Sequence, residues 1–195
     1  MRSIVLSFFI LIAFLGMGRA YAGETITLGP QGTKIEGSIK YTVIGTYTAR
    51  FNSFTGRITL GKRSQGVRSV YLEIEAGSIR SNHPWYDKIA RSRRLLYARR
   101  YPKIIFKSDK IVHDEGGYKI KGILEMHGIK RRMTFPFNIE ITIDQKTKRK
   151  QLVLKGHWNI NRKVFNIIWN RYLDHGGVLV SDIFTVNWEI RAHIK

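Results

Sequence analysis

The sequence contains no cysteine. That excludes a disulfide framework, a thiol nucleophile, a Cys-ligated zinc site and a lipid-modified cysteine. Acidic residues are scarce as well: 14 Asp plus Glu stand against 34 Lys plus Arg, giving a net charge of +20. An imbalance of this size implies an anionic partner, whether nucleic acid, a membrane surface or a phosphorylated ligand. Beyond residue 22 there is no apolar run long enough to be a membrane-spanning helix. A Gly-x-Ser-x-Gly elbow, a P-loop and a Gly-x-Gly-x-x-Gly turn are all missing. The histidines, His83, His113, His127, His157, His175 and His193, form no ligand-spaced cluster, so no metal and no cofactor are expected. Asp174-His175-Gly176-Gly177 reads as a turn before a strand, not as an acid–base pair. These absences point away from an enzyme.

What is present begins with an export signal. Arg2 supplies a basic start, Ile4 to Met17 an apolar stretch, and Ala20-Tyr21-Ala22 a small–x–small cleavage pattern. Residues 1–22 are therefore expected to be a cleaved signal peptide and 23–195 one exported domain, periplasmic or secreted. Export disfavours nucleic acid as the anion and favours a lipid or an anionic membrane surface. With 43% hydrophobic residues the chain can build its own core.

The mature region alternates apolar and polar residues with period two, the mark of strands with one buried face. The runs lie at about 39–43, 54–60, 70–75, 103–112, 117–127, 133–143, 152–160 and 178–191. Turn residues such as Asp114-Glu115-Gly116-Gly117 separate them. Short connections imply antiparallel pairing. The reading is an all-β chain: an eight-stranded antiparallel barrel, closed so that no edge is left exposed. A membrane barrel would put its apolar face outward. Lys119, Lys121, Glu125, Lys155 and His157 suit solvent better than a small lumen.

One stretch breaks the alternation. Pro84 can open a helix, and Tyr101-Pro102 cannot continue one. A short basic amphipathic helix is expected at about 84–98, with Trp85, Ile89, Leu95 and Leu96 on one face. Lys88, Arg91, Arg93, Arg94, Arg99 and Arg100 carry its charge, and a turn at Lys130-Arg131-Arg132 adds more.

Several blocks together resemble the YceI-like family of exported, lipocalin-like lipid-binding proteins, from about Ser38 to Ile194. The clearest is Gly122-Ile123-Leu124-Glu125-Met126-His127-Gly128-Ile129. Tyr101-Pro102-Lys103-Ile104-Ile105-Phe106-Lys107-Ser108 is similar to another family strand, and Ser78-Ile79, Asp87 and Arg91-Ser92 to a third segment. Phe54-x-Gly56 is similar to a fourth. The resemblance implies a lipocalin-like barrel that binds a long amphiphilic lipid or isoprenoid without transforming it. Candidate lumen residues are then Tyr41, Val43, Leu72, Ile74, Phe106 and Leu124. Met126, Phe135, Phe137, Trp158, Phe184 and Trp188 complete the set. Arg91, Asp87 and His127 are candidates for the head-group rim, Arg91 through its bidentate fork. The competing expectation is a basic envelope-associated structural, stress or adhesion protein whose barrel is packed solid. A monomer or homodimer fits either.

Overall fold

The computed structural model describes residues 24–41, 45–61, 66–170 and 179–194. The expected signal segment, Val43 and the turn at 174–177 lie outside these residues. The described chain forms strands β1 (Thr25–Leu28), β2 (Thr33–Tyr41), β3 (Gly45–Phe51), β4 (Phe54–Leu60) and β5 (Val67–Glu75). Then come β6 (Ile79–Arg80), helix α1 (Pro84–Arg91), β7 (Lys103–Asp114) and β8 (Gly117–Met126). The last strands are β9 (Ile129–Ile143), β10 (Lys150–Asn161) and β11 (Val180–His193).

All pair antiparallel in one sheet, in the order β1-β4-β5-β7-β8-β9-β10-β11-β2-β3-β6. The sheet curls into a half-barrel around an apolar interior. The end strands β1 and β6 are not paired with each other among the described residues. The β3–β4 turn bridges that region instead: Asn52 donates to the Ser78 carbonyl and Glu75 to the Ser53 carbonyl.

The described residues form eleven strands, not the eight expected. The additions are β1, β3 and β6. Strands of four and two residues are too short to show a period. In β3 the buried positions are Tyr47 and Ala49, and alanine is a weak apolar signal. The helix is also shorter than expected, ending at Arg91 instead of residue 98. The Ser92 hydroxyl donates to the Ile89 carbonyl and Ser92 turns extended, which ends the α-helical ladder. Leu95 and Leu96 follow as adjacent buried residues on a turn, held by the Leu96 amide on the Ala90 carbonyl. Lys130, Arg131 and Arg132 open β9 and are not a turn.

β9 joins the two halves of the sheet. Its first part pairs with β8 and its last part with β10. Pro136, which has no N–H to give, sits near that transition, and its carbonyl accepts the Trp158 indole N–H at 2.8 Å.

Candidate functional site

The inward faces of the curled sheet enclose an apolar lumen of about 140 Å³. This is narrower than the several hundred Å³ usual for drug-sized ligands. It is close to the size of an apolar protein cavity that stays dry and takes up a small hydrocarbon. The alternation that builds each strand also builds the wall. From β5 come Leu72 and Ile74, from β7 Phe106, and from β8 Leu124 and Met126. Phe137 of β9, Trp158 of β10, and Phe184 and Trp188 of β11 close the far side.

Two of the expected lumen residues, Tyr41 and Phe135, do not line the lumen. Val43 is outside the described residues. Phe135 is buried on the same face of β9 as Phe137, stacked flat on Trp158 with ring centroids 4.0 Å apart. Tyr41 is half-buried at the end of β2, its ring 5.1 Å from that of Tyr86. Sequence reasoning missed Ile35, Gly37 and Tyr47, and it placed Leu95 and Leu96 on a helix face. Those two leucines, from the turn after α1, and Ala90, from α1 itself, close one mouth of the lumen.

Two glycines set how closely the wall can pack. A Cβ at Gly156 would meet the Trp188 indole at 2.3 Å, so the indole lies directly on the backbone of β10. A Cβ at Gly122 would meet the Lys107 carbonyl at 2.4 Å, opposite a bulge between Ser108 and Lys110. There the Ser108 hydroxyl accepts the Val70 amide at 2.8 Å, replacing a ladder bond. The family-like Gly122 and Ser108 therefore shape the sheet.

The three expected head-group residues do not converge on the lumen. Asp87 is only 3% exposed and accepts from the Tyr47 hydroxyl at 2.8 Å, the Ser81 hydroxyl at 2.6 Å and the Ser81 amide. Burial pushes its carboxyl up, but the Ser81 and Tyr47 donors and the Arg91 charge outweigh it, so its pKa lies below the usual value. Burial and donation to Asp87 raise that of Tyr47. Asp87 thus pins α1 to β3 and to the segment after β6. Arg91 is half-buried and donates to the Ile79 carbonyl at 3.3 Å.

His127 occupies a left-handed position, with φ 54°, in the tight β8–β9 turn. Its Nδ1 bonds the Phe165 carbonyl at 3.1 Å, and its ring lies 4.4 Å from that of Tyr101. Nδ1 must donate there, which leaves Nε2 as a buried acceptor without a partner among the described residues. Burial favours the neutral ring and holds its pKa below the ordinary histidine value, outweighing the Phe165 carbonyl, which favours the protonated ring.

Asp87→Ala should therefore act on stability. It strips the Tyr47 hydroxyl of its buried acceptor and costs about 3 kcal/mol. A drop in Tm of about 6–12 °C is expected by thermal unfolding. A head-group role would instead leave Tm unchanged and weaken binding.

A model of the YceI-like domain matches residues 27–192, nearly all of the described chain. The chain belongs to the YceI-like family. Its relatives include a UPF0312 protein of Yersinia enterocolitica, 26% identical over 151 residues, covering 77% of this chain and 79% of that protein. A UPF0312 protein of Yersinia pestis is 25% identical over 133 residues, covering 68% and 69%. Among solved structures, BcnA of Burkholderia cenocepacia matches with a TM-score of 0.66 at 19% identity, covering 82% of this chain and 96% of that one. A polyisoprenoid binding domain from Saccharophagus degradans, implicated in plant cell wall breakdown, matches with a TM-score of 0.62 at 10% identity, covering 88% and 98%. The Gly122 and His127-Gly128 signatures that announced the family lie at the β7–β8 bulge and in the β8–β9 turn.

Proposed function

We propose that the protein is an exported carrier that holds the hydrocarbon tail of one amphiphilic lipid, an isoprenoid by preference, and carries or sequesters it without chemistry. The observation that carries this reading is the lumen wall, whose accessible surface is almost entirely carbon. Each CH₂ removed from water there contributes about 0.8 kcal/mol, so a slender chain binds tightly with few polar contacts. A bulky or strongly polar ligand fits neither the width nor the chemistry. The likeness to a polyisoprenoid binding domain supports the same class of ligand. A chain longer than a few carbons enters by moving side chains, and Leu95 and Leu96 are the natural gate because they sit on a turn. The apolar segment at residues 4–17 and the small–x–small site at 20–22 support export.

A chain-length series tests this. Kd for linear isoprenols, measured by displacement of an environment-sensitive apolar probe, should fall with each added carbon, by about fourfold per CH₂, until the lumen is filled. An affinity independent of chain length would refute a tail-binding lumen.

A further inference from the structure

The lumen mouth closed by Leu95 and Leu96 has a rim whose composition the lumen does not explain. The rim comprises residues 84–100, the start of β9 and residues 162–170. Side-chain contacts place these segments side by side. The Arg94 guanidinium lies 5.2 Å from the centre of the Trp169 ring. Arg131 donates to the Val164 carbonyl at 3.1 Å, and His127 bonds the Phe165 carbonyl. Trp85 packs on Tyr86, and Tyr86 on Tyr41 at the end of β2, completing the circuit.

Two kinds of side chain stand out from this rim. Trp85 and Ile168 are among the most exposed large apolar residues described, at 65% and 64%, and Val164 is exposed as well. The same rim segments carry the exposed Lys88, Arg93, Arg94, Arg99, Arg100 and Arg131. None of these six pairs with a carboxylate among the described residues. The acids nearby are already engaged: Asp87 by Tyr47 and Ser81, Glu125 by Lys130, and Asp182 by Arg162 and Lys163. Cations left unpaired around exposed apolar side chains match a bilayer that offers anionic head groups outside and hydrocarbon just beneath. Trp85 and Lys88 are three apart on α1 and so share a face of that helix.

We propose that this rim docks on an anionic phospholipid surface, with Trp85 and Ile168 entering the interface and the unpaired cations meeting phosphate. Docking sets the lumen mouth against the bilayer, where a lipid tail can pass between membrane and protein. The proposal goes beyond the carrier reading and does not need the lumen to be filled. It requires only the rim.

The test is flotation of the purified protein with vesicles at physiological salt. One set is phosphatidylcholine alone and the other contains phosphatidylglycerol as well. The wild-type chain should float with the second set only, and lipid-borne bromine should quench Trp85, a signal lost in Trp85→Phe. A rim variant, Lys88→Glu, Arg93→Glu and Arg99→Glu, should bind about a hundredfold more weakly. The control removes equal charge from the β9–β10 tip with Lys146→Glu, Arg149→Glu and Lys150→Glu. That tip opens β10, whose other end, Asn161, leads into the rim, so the two lie about 40 Å apart. The tip variant should bind within about twofold of wild type if rim contact dominates. Equal losses from rim and tip would show unspecific charge attraction and overturn the proposal. No flotation with the phosphatidylglycerol vesicles would do the same. The rim variant should still take up isoprenol in detergent-free solution, so a failed dock is distinguishable from a failed lumen.

Discussion

Gly37→Phe should weaken tail binding about a hundredfold while leaving the fold in place. Gly37 sits on β2 facing the lumen, opposite Val186 of β11. A Cβ there meets nothing closer than the edge of Phe51 at 3.9 Å, an ordinary contact. The added ring therefore has one place to go, which is the space of about 140 Å³ that a ligand tail would occupy. Strands favour Phe over Gly, and this gain offsets part of any crowding. Tm should change by less than about 5 °C. A tail would then have to push the ring back towards water at about 2–3 kcal/mol, so affinity should fall about a hundredfold. Probe displacement and thermal unfolding on the same preparation check both halves.

The largest loss of stability is expected from Arg162→Ala. The Arg162 side chain is fully buried in a short 3-10 helix, Arg162–Phe165, after β10. Its Nε donates to the Ser181 carbonyl at 2.8 Å, and Nη1 to the carbonyls of Ile167 and Trp169 at 2.6 and 2.8 Å. Nη2 reaches the Val180 carbonyl at 3.3 Å and the Asp182 carboxylate at 3.4 Å. All five guanidinium donors are used, and they tie the chain entering 162–170 to the start of β11. Burial opposes the charge and Asp182 supports it, but a guanidinium stays protonated throughout. Truncation leaves several carbonyls without donors in a buried place, at a cost on the order of 5 kcal/mol. The expected fall in Tm is about 10–20 °C. Arg162→Lys should recover only part of it, because an ammonium cannot serve partners arranged around a planar fork.

The contrast between these positions shows what the sequence makes legible. Period-two alternation exposed the long strands because each has one face on the lumen. It also ranked Phe106, Leu124 and Trp158 as inward, where the structure places them. It failed where the signal is weaker than its noise: the two-residue β6, and β3, whose inward face includes Ala49. It could not see Gly37, because a missing side chain leaves no apolar mark. It read Leu95 and Leu96 as a helix face, although adjacent leucines fit a turn better than one stripe of a helix. Arg162 is one of many arginines in a basic chain, and only the convergence of four carbonyls on it distinguishes it. Asp87, Arg91 and His127 were found for the right reason, as family-like residues. The structure shows them in contacts that hold α1 and the β8–β9 turn in place, which the sequence pattern did not reveal.

The basic charge separates in the same way. Several cations pair with strand acids, among them Lys103 with Glu73 and Glu75, and Arg50 with Glu36. Exposed pairs of this kind contribute at most about 1 kcal/mol each. Lys88, Arg93, Arg94, Arg99, Arg100 and Arg131 around the lumen mouth have no carboxylate partner among the described residues, which is why the mouth, and not the net charge, is the informative feature.

Native mass spectrometry of the protein purified after export tests the central claim most directly. The wild-type chain should carry one non-covalent adduct whose mass, after extraction, identifies a lipid with a long hydrocarbon tail, and Gly37→Phe prepared in parallel should be bare. A wild-type chain that arrives bare and takes up no isoprenol on incubation would contradict the account and leave a packed, ligand-free barrel in its place.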